Sequence, residues 1–404
     1  MSVDILRRRA LPLWASALLP LVALGLMLAF FAFGDPLAAF KAHLPPVETL
    51  SVERVKVTPA GFELTVVNGG PDTVTVAQVT VDDAYWNFTA SPSATIPRLG
   101  RSQITLNYPW VEAEPNTIRL MTTTGLTFDA EVPLAVETPT LGWGEFLRYG
   151  LVGIYVGIVP VALGLLWYPA LRRLGRRGLG AVLALTIGLL VFLLIDTLLE
   201  GLEVAAELPS VFQGISLLLF AALLTWLVLV VVSSRRPDSA GGSPRGMYLA
   251  GLIALGIGLH NLGEGMAIGA AFALGEAALG SFLVLGFTLH NVTEGIGIAA
   301  PLTSAGSEES VATPRTRMFV GLALLAGAPA ILGTWIGGFA FSPLLAVLFL
   351  GVGAGAIWQV IVEVGRLLQT YARRDGASAV SWPNVLGFTL GLAVMYLTAL
   401  LVKV

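Results

Sequence analysis

The chain has 404 residues, of which 55% are hydrophobic and only 12% charged, with a net charge of −3. That balance excludes a disordered chain and a basic nucleic-acid binder, and no nucleic acid is expected as a partner. The absence of cysteine excludes disulfides, thiolate metal sites and cysteine nucleophiles.

Apolar runs of about 20 residues, the length that crosses a bilayer, recur along the chain. A polytopic α-helical membrane protein is therefore expected, with the lipid bilayer as its surroundings. The first run, 11–33, is uncharged and follows Arg7-Arg8-Arg9. Its length favours a retained N-terminal anchor (1–34) over a cleaved signal peptide, whose apolar part is shorter. The small residues of Ala32-Phe33-Gly34 keep the cleaved alternative open.

The composition then changes, and 35–140 reads as a separate β-domain. Strand-like segments lie at 62–67, 73–81, 103–106, 117–121 and 127–132, and Asn68-Gly69-Gly70-Pro71-Asp72 is a turn signal between the first two. Many short strands with turn punctuation predict a small β-sandwich. Residues 50–137 contain neither histidine nor cysteine, so a structural or interaction role is expected, such as capping an entrance, binding a partner or mediating a homodimer.

From 145 to 404 the chain is apolar again. Spans are predicted near 148–171, 179–202, 208–232, 247–273, 277–302, 318–341, 344–368 and 382–402, an eight-helix domain beside the anchor. Arginine is distributed unevenly over the connections. One side holds Arg7, Arg8, Arg9, Arg172, Arg173, Arg176, Arg177, Arg235, Arg236, Arg245, Arg315, Arg317, Arg373 and Arg374; outside the β-domain, the other holds Arg148 and Lys403. Positive residues stay in the cytoplasm. The N-terminus is thus expected inside a cell membrane, and the β-domain and C-terminus outside.

Two consecutive spans carry one pattern: Leu259-His260-Asn261-Leu262-Gly263-Glu264-Gly265 and Leu289-His290-Asn291-Val292-Thr293-Glu294-Gly295. His and Glu at i and i+4 share a helix face, with Asn beside it. The histidines flank Gly275 symmetrically, so an antiparallel hairpin puts both about 22 Å below its turn, near mid-membrane. Straight helices would set Glu264 and Glu294 one turn to either side of that level, and the flanking Gly263, Gly265 and Gly295 suggest bends. Charged carboxylates at this depth are costly, and a divalent cation would neutralise both. Nitrogen and oxygen ligands without sulfur suit Zn²⁺ first, with Fe²⁺, Mn²⁺, Co²⁺ or Cd²⁺ as alternatives.

These two motifs, and the eight spans around them, resemble the ZIP family of divalent metal transporters over roughly 145–404. The resemblance implies that His260, Asn261, Glu264, His290, Asn291 and Glu294 line the transport site, with the metal as substrate and no enzymatic activity. This chain departs from the family pattern in having Gly263 and Thr293 before the motif glutamates, where many members have proline. It also has Ala328 before Pro329, where many bacterial members have a glutamate, which implies one dominant metal position. The anchor and β-domain are additions to the family plan.

Further polar positions are Asp196 and Glu200 at i, i+4, Glu203 nearer the outer end, and Gln359 and Glu363 at i, i+4. The resemblance implies a place for them along the metal route, while Arg366 offers Glu363 an ordinary ion pair one turn away. Two rival readings are an intramembrane metal-dependent hydrolase and a metal-responsive sensor with the β-domain as output. Too few histidines, and no H-E-x-x-H, weigh against the hydrolase. No phosphate-binding loop is present, which excludes an ATP-driven pump of that type.

Overall fold

The structure is a computed structural model that describes residues 13–34, 48–140, 142–234, 244–303, 316–374, 376 and 378–402. The arginines at 7–9, 235, 236 and 315, Lys403, and most of the 35–48, 233–245 and 303–317 connections lie outside these residues. Two units emerge, 1–47 and 48–404. In the first, the described element is α1 (Leu13–Gly34), an apolar helix interrupted in composition only by Pro20. It covers nearly all of the apolar run 11–33 of the expected anchor, whose residues 1–12 lie outside the described residues.

The second unit begins with nine strands: β1 (Leu50–Thr58), β2 (Gly61–Asn68), β3 (Val74–Val81), β4 (Ala84–Trp86), β5 (Phe88–Ser91), β6 (Thr95–Ile96), β7 (Arg101–Leu106), β8 (Asn116–Thr122) and β9 (Thr127–Val132). The five expected segments became β2, β3, β7, β8 and β9. The expected set lacked β1, whose alternation slips between Val52 and Arg54, and β4, β5 and β6, which at two to four residues are too short to show a period. All pairings are antiparallel, in one sheet ordered β1-β2-β7-β5 and another ordered β4-β3-β8-β9, with β6 against β3. Alternate residues of both sheets, among them Phe62, Leu64, Ile104, Val79, Ile118 and Leu120, enter one apolar core, as period-two patterning requires.

Helices follow: α2 (Trp143–Leu171), α3 (Arg176–Glu207), α4 (Gly214–Ser234), α5 (Pro244–Ala273), α6 (Ala277–Thr303), α7 (Thr316–Ala340), α8 (Pro343–Arg374) and α9 (Trp382–Val402). Among the described residues, these eight are long and apolar enough to cross a membrane. They match the eight expected spans to within a few residues at most ends. Leu219, Phe220, Leu223, Leu224, Val228 and Val231 leave much of α4 bare, which suits a lipid-facing surface.

Two prolines disturb the bundle where it matters for the site. Pro329 has no N–H for the helical ladder, and α7 breaks at Ala328 into Thr316–Gly327 and Pro329–Ala340. In α2, Pro160 follows a π-helical turn at Ile154–Ile158 and withholds the donor that the Val156 carbonyl, four residues earlier, would otherwise receive.

The β-domain meets three helix connections. Val136 packs at Gly275, where φ is +81° and an added Cβ would lie 2.9 Å from the valine. Gly69 abuts Pro209 in the α3–α4 connection. Arg54 donates to the Phe339 carbonyl at the end of α7, 2.9 Å away, and its partial burial lowers the guanidinium below its usual value. The α3–α4, α5–α6 and α7–α8 connections are therefore on the same face of the bundle, as the alternation of spans requires.

Candidate metal site in the α5–α6 hairpin

α5 runs toward the Gly275 turn and α6 runs away from it. Helical side chains lean toward the N-terminus of their own helix, so Glu264 leans back to the histidine level from one side and Glu294 from the other. Both helices are unbroken through their motifs. Convergence thus comes from side-chain direction and reach, where the sequence suggested bends.

Two of the three glycines named for bending, Gly265 and Gly295, serve close packing instead. A Cβ at Gly265 would lie 2.2 Å from the Ala330 carbonyl oxygen, and one at Gly295 would lie 2.3 Å from the Val161 carbonyl oxygen. These contacts bring α7 and α2 against the two motif helices. Gly263 has open space beside it.

His260, Asn261, Glu264, His290, Asn291 and Glu294 are all buried, the two asparagines completely. One oxygen of Glu264, Oε1, takes hydrogen bonds from Nε2 of both His260 (3.0 Å) and His290. Its other oxygen is 3.3 Å from the Asn291 amide nitrogen. His260, His290 and Glu294 each offer a ligand atom within 4.8 Å of the others. Phe287 flanks the His290 ring, with centroids 5.3 Å apart.

The asparagines are oriented from outside the hairpin. Asn261 donates to the Ala326 carbonyl (3.1 Å), just before the α7 break, and Asn291 donates to the Val156 carbonyl (3.1 Å) that Pro160 leaves free. One backbone carbonyl thus holds each amide, the Asn291 N–H₂ also faces Glu264, and neither amide oxygen has a donor. Asn261 Oδ1, Asn291 Oδ1 and both Glu294 oxygens are buried without a hydrogen-bond donor. Four such acceptors in one place are exceptional, since buried polar groups are almost always paired. Acceptors without donors are a donor set for a cation.

The acids of α3 connect this cluster to a wider space. A cavity of about 20 Å³, enough for one water-sized occupant, is bordered by Asp196, Glu200, His260 and Glu264. A second cavity, of about 230 Å³, is bordered by Asp196, Glu200, Glu203 and His290, and by Met395 and Thr398 of α9. Asp196 and Glu200 thus border both spaces.

Gln359 and Glu363 are placed elsewhere. A Cβ added at Gly353 would lie 3.4 Å from His260, and Gln359 is six residues further along α8, about 9 Å on. There Gln359 donates to Ser233 and to Glu363, both at 3.2 Å, and Arg366 donates to Glu363 at 2.8 Å. The ion pair expected as the ordinary role of Glu363 is present. The Val156 and Ala326 carbonyls, Gly353 and the α9 residues were not anticipated. The mid-span Pro160 and Pro329 were the available signals for the carbonyls.

No family model and no curated protein matches this chain.

Proposed function

We propose that the chain is a ZIP-like transporter, moving a divalent transition-metal ion, Zn²⁺ first among them, toward the cytoplasm by alternating access. The observation that carries this reading is the cluster of four donorless acceptor oxygens beside two imidazoles and a bridging carboxylate. A neutral solute could donate to those oxygens but would leave the charge of Glu264 and Glu294 uncompensated at this depth, whereas a divalent cation offsets both. Asp196, Glu200 and Glu203 form the approach, concentrating cations where the cavity opens. The ligands are His260, His290, Glu264 and Glu294, with Asn261 and Asn291 as supporting oxygens. Gln359 and Glu363 stand further along α8 on the side away from the β-domain, where they line the exit. The two sheets, which share one core, are read as a sandwich that covers the outer connections.

Proteoliposomes containing an internal metal-sensitive dye test the reading. Uptake of Zn²⁺ above that of empty liposomes is expected, with Fe²⁺, Mn²⁺, Co²⁺ and Cd²⁺ as comparison ions. Binding without net uptake of any of them would favour a sensor or a hydrolase instead.

Sidedness is tested separately, and the cysteine-free chain makes this simple. Asp83→Cys in the β-domain should react with a membrane-impermeant maleimide in intact cells, whereas Ser239→Cys should react only after lysis. The reverse pattern would invert the proposed orientation and the direction of transport with it.

A further inference from the structure

The β-domain carries a concavity that has no part in the metal route. β4 is the edge of one sheet and β5 the edge of the other, and Asn87 alone joins them. An open groove of about 740 Å³ lies where the chain crosses, a size within the usual range of small-ligand sites. Contacts to the helices come from elsewhere: from β1 through Arg54, from the turn after β2, and from the segment after β9. β1 and β9 are the edges opposite β5 and β4.

The lining has a definite chemistry. Tyr85, Trp86 and Phe88 supply aromatic surface, and Tyr85 is 69% exposed. Trp86 is held in place because its indole N–H donates to the Asn107 carbonyl and its ring meets Tyr108 edge-on, with centroids 5.1 Å apart. Amides come from Gln78, Asn87 and Asn107, and hydroxyls come from Thr89 and Thr105, which are paired across β5 and β7. A bulge between Val76 and Gln78 bends β3 at the groove, a feature common beside binding sites. No lining residue is an acid, a base or a histidine.

Amides and hydroxyls each donate and accept hydrogen bonds, and exposed aromatic faces attract polarised C–H surface. A sugar ring presents both complements, hydroxyls at its rim and C–H groups on its face. An ionic ligand would find no counter-charge here. A peptide adding as a strand would find edges of only three residues in β4 and four in β5, too short to pair along. We propose that this groove binds an uncharged saccharide, with a ring stacked on Tyr85 and its hydroxyls on Gln78, Asn87 and Asn107.

The test uses the full-length chain in lipid nanodiscs, because sugar-headed detergents would compete. Chitohexaose, cellohexaose and maltohexaose are titrated in turn, read by calorimetry and by tryptophan fluorescence. At least one is expected to bind, with affinity lowered about tenfold by Tyr85→Ala and kept by Tyr85→Phe, which preserves the ring. Zn²⁺ binding should be the same with and without the sugar. Failure of all three sugars, affinity unchanged in Tyr85→Ala, or displacement of the sugar by a proline decapeptide would each overturn the proposal.

Discussion

Glu264→Gln is expected to weaken metal binding by two to three orders of magnitude and to abolish uptake. The substitution keeps the shape of the side chain but removes the charge that both imidazoles address. Removing one partner from a buried charged constellation costs about 3–5 kcal/mol, and each ~1.4 kcal/mol is tenfold in affinity. Glu294→Gln should also weaken binding, since it removes the second compensating charge. The two variants should differ, however, when no metal is bound. Glu264 accepts from both imidazoles and faces the Asn291 amide, whereas Glu294 has no comparable set of donors. Glu264→Gln should therefore lower the melting temperature of the metal-free protein. Glu294→Gln should raise it, because a neutral amide costs less to bury than a carboxylate with so few donors. Calorimetric titration with Zn²⁺ and melting in the presence of chelator measure both. Unchanged binding in both variants would remove the site, and equal melting shifts would show that Glu294 is already satisfied.

Gly265→Val should destabilise the helical domain far more than a substitution two residues earlier. The first added carbon would already lie 2.2 Å from the Ala330 carbonyl oxygen, and Gly333 makes the reciprocal approach, 2.2 Å from the Leu262 carbonyl oxygen. Helix backbones cannot yield locally, so α5 and α7 must separate, carrying Asn261 away from Ala326. Overpacking of this kind costs about 1–3 kcal/mol, and more where backbone is the obstacle. Gly263→Ala is the contrasting case, because nothing lies within 4 Å of the added carbon. It should leave the melting temperature unchanged or raise it, since alanine favours the helix by up to about 1 kcal/mol. Equal melting temperatures for the two variants would show that the helices have room to separate.

The neutral or stabilising effect expected of Gly263→Ala, against the steep cost at Gly265, reflects two different environments for glycine in one helix. Glycine has several uses in a helix, and its spacing in the sequence does not tell a bend from a close contact. Which use applies depends on the neighbouring helix, and here α7 and α2 occupy the space beside Gly265 and Gly295. The same holds for Glu363. Its i, i+3 relation to Arg366 and its i, i+4 relation to Gln359 were both visible, and both interactions form. Its distance from the histidines depended on how α8 packs.

What the sequence by itself determined was everything set by local periodicity and by solvent. Long apolar runs specify membrane-length helices because unpaired backbone is intolerable in hydrocarbon, and alternating residues specify the longer strands. The i, i+4 spacing of the twin motifs, symmetric about Gly275, places two imidazoles and two carboxylates on facing surfaces of one hairpin. Only the tertiary structure decided which oxygens remain without donors. The carbonyls that hold Asn261 and Asn291 belong to α7 and α2, 65 and 135 residues away in the chain, and no local pattern encodes that partnership. The short edge strands that frame the aromatic groove are of the same kind. Three or four residues are too few for a periodic signal, and their conformation is set by the pairing partners that the fold supplies.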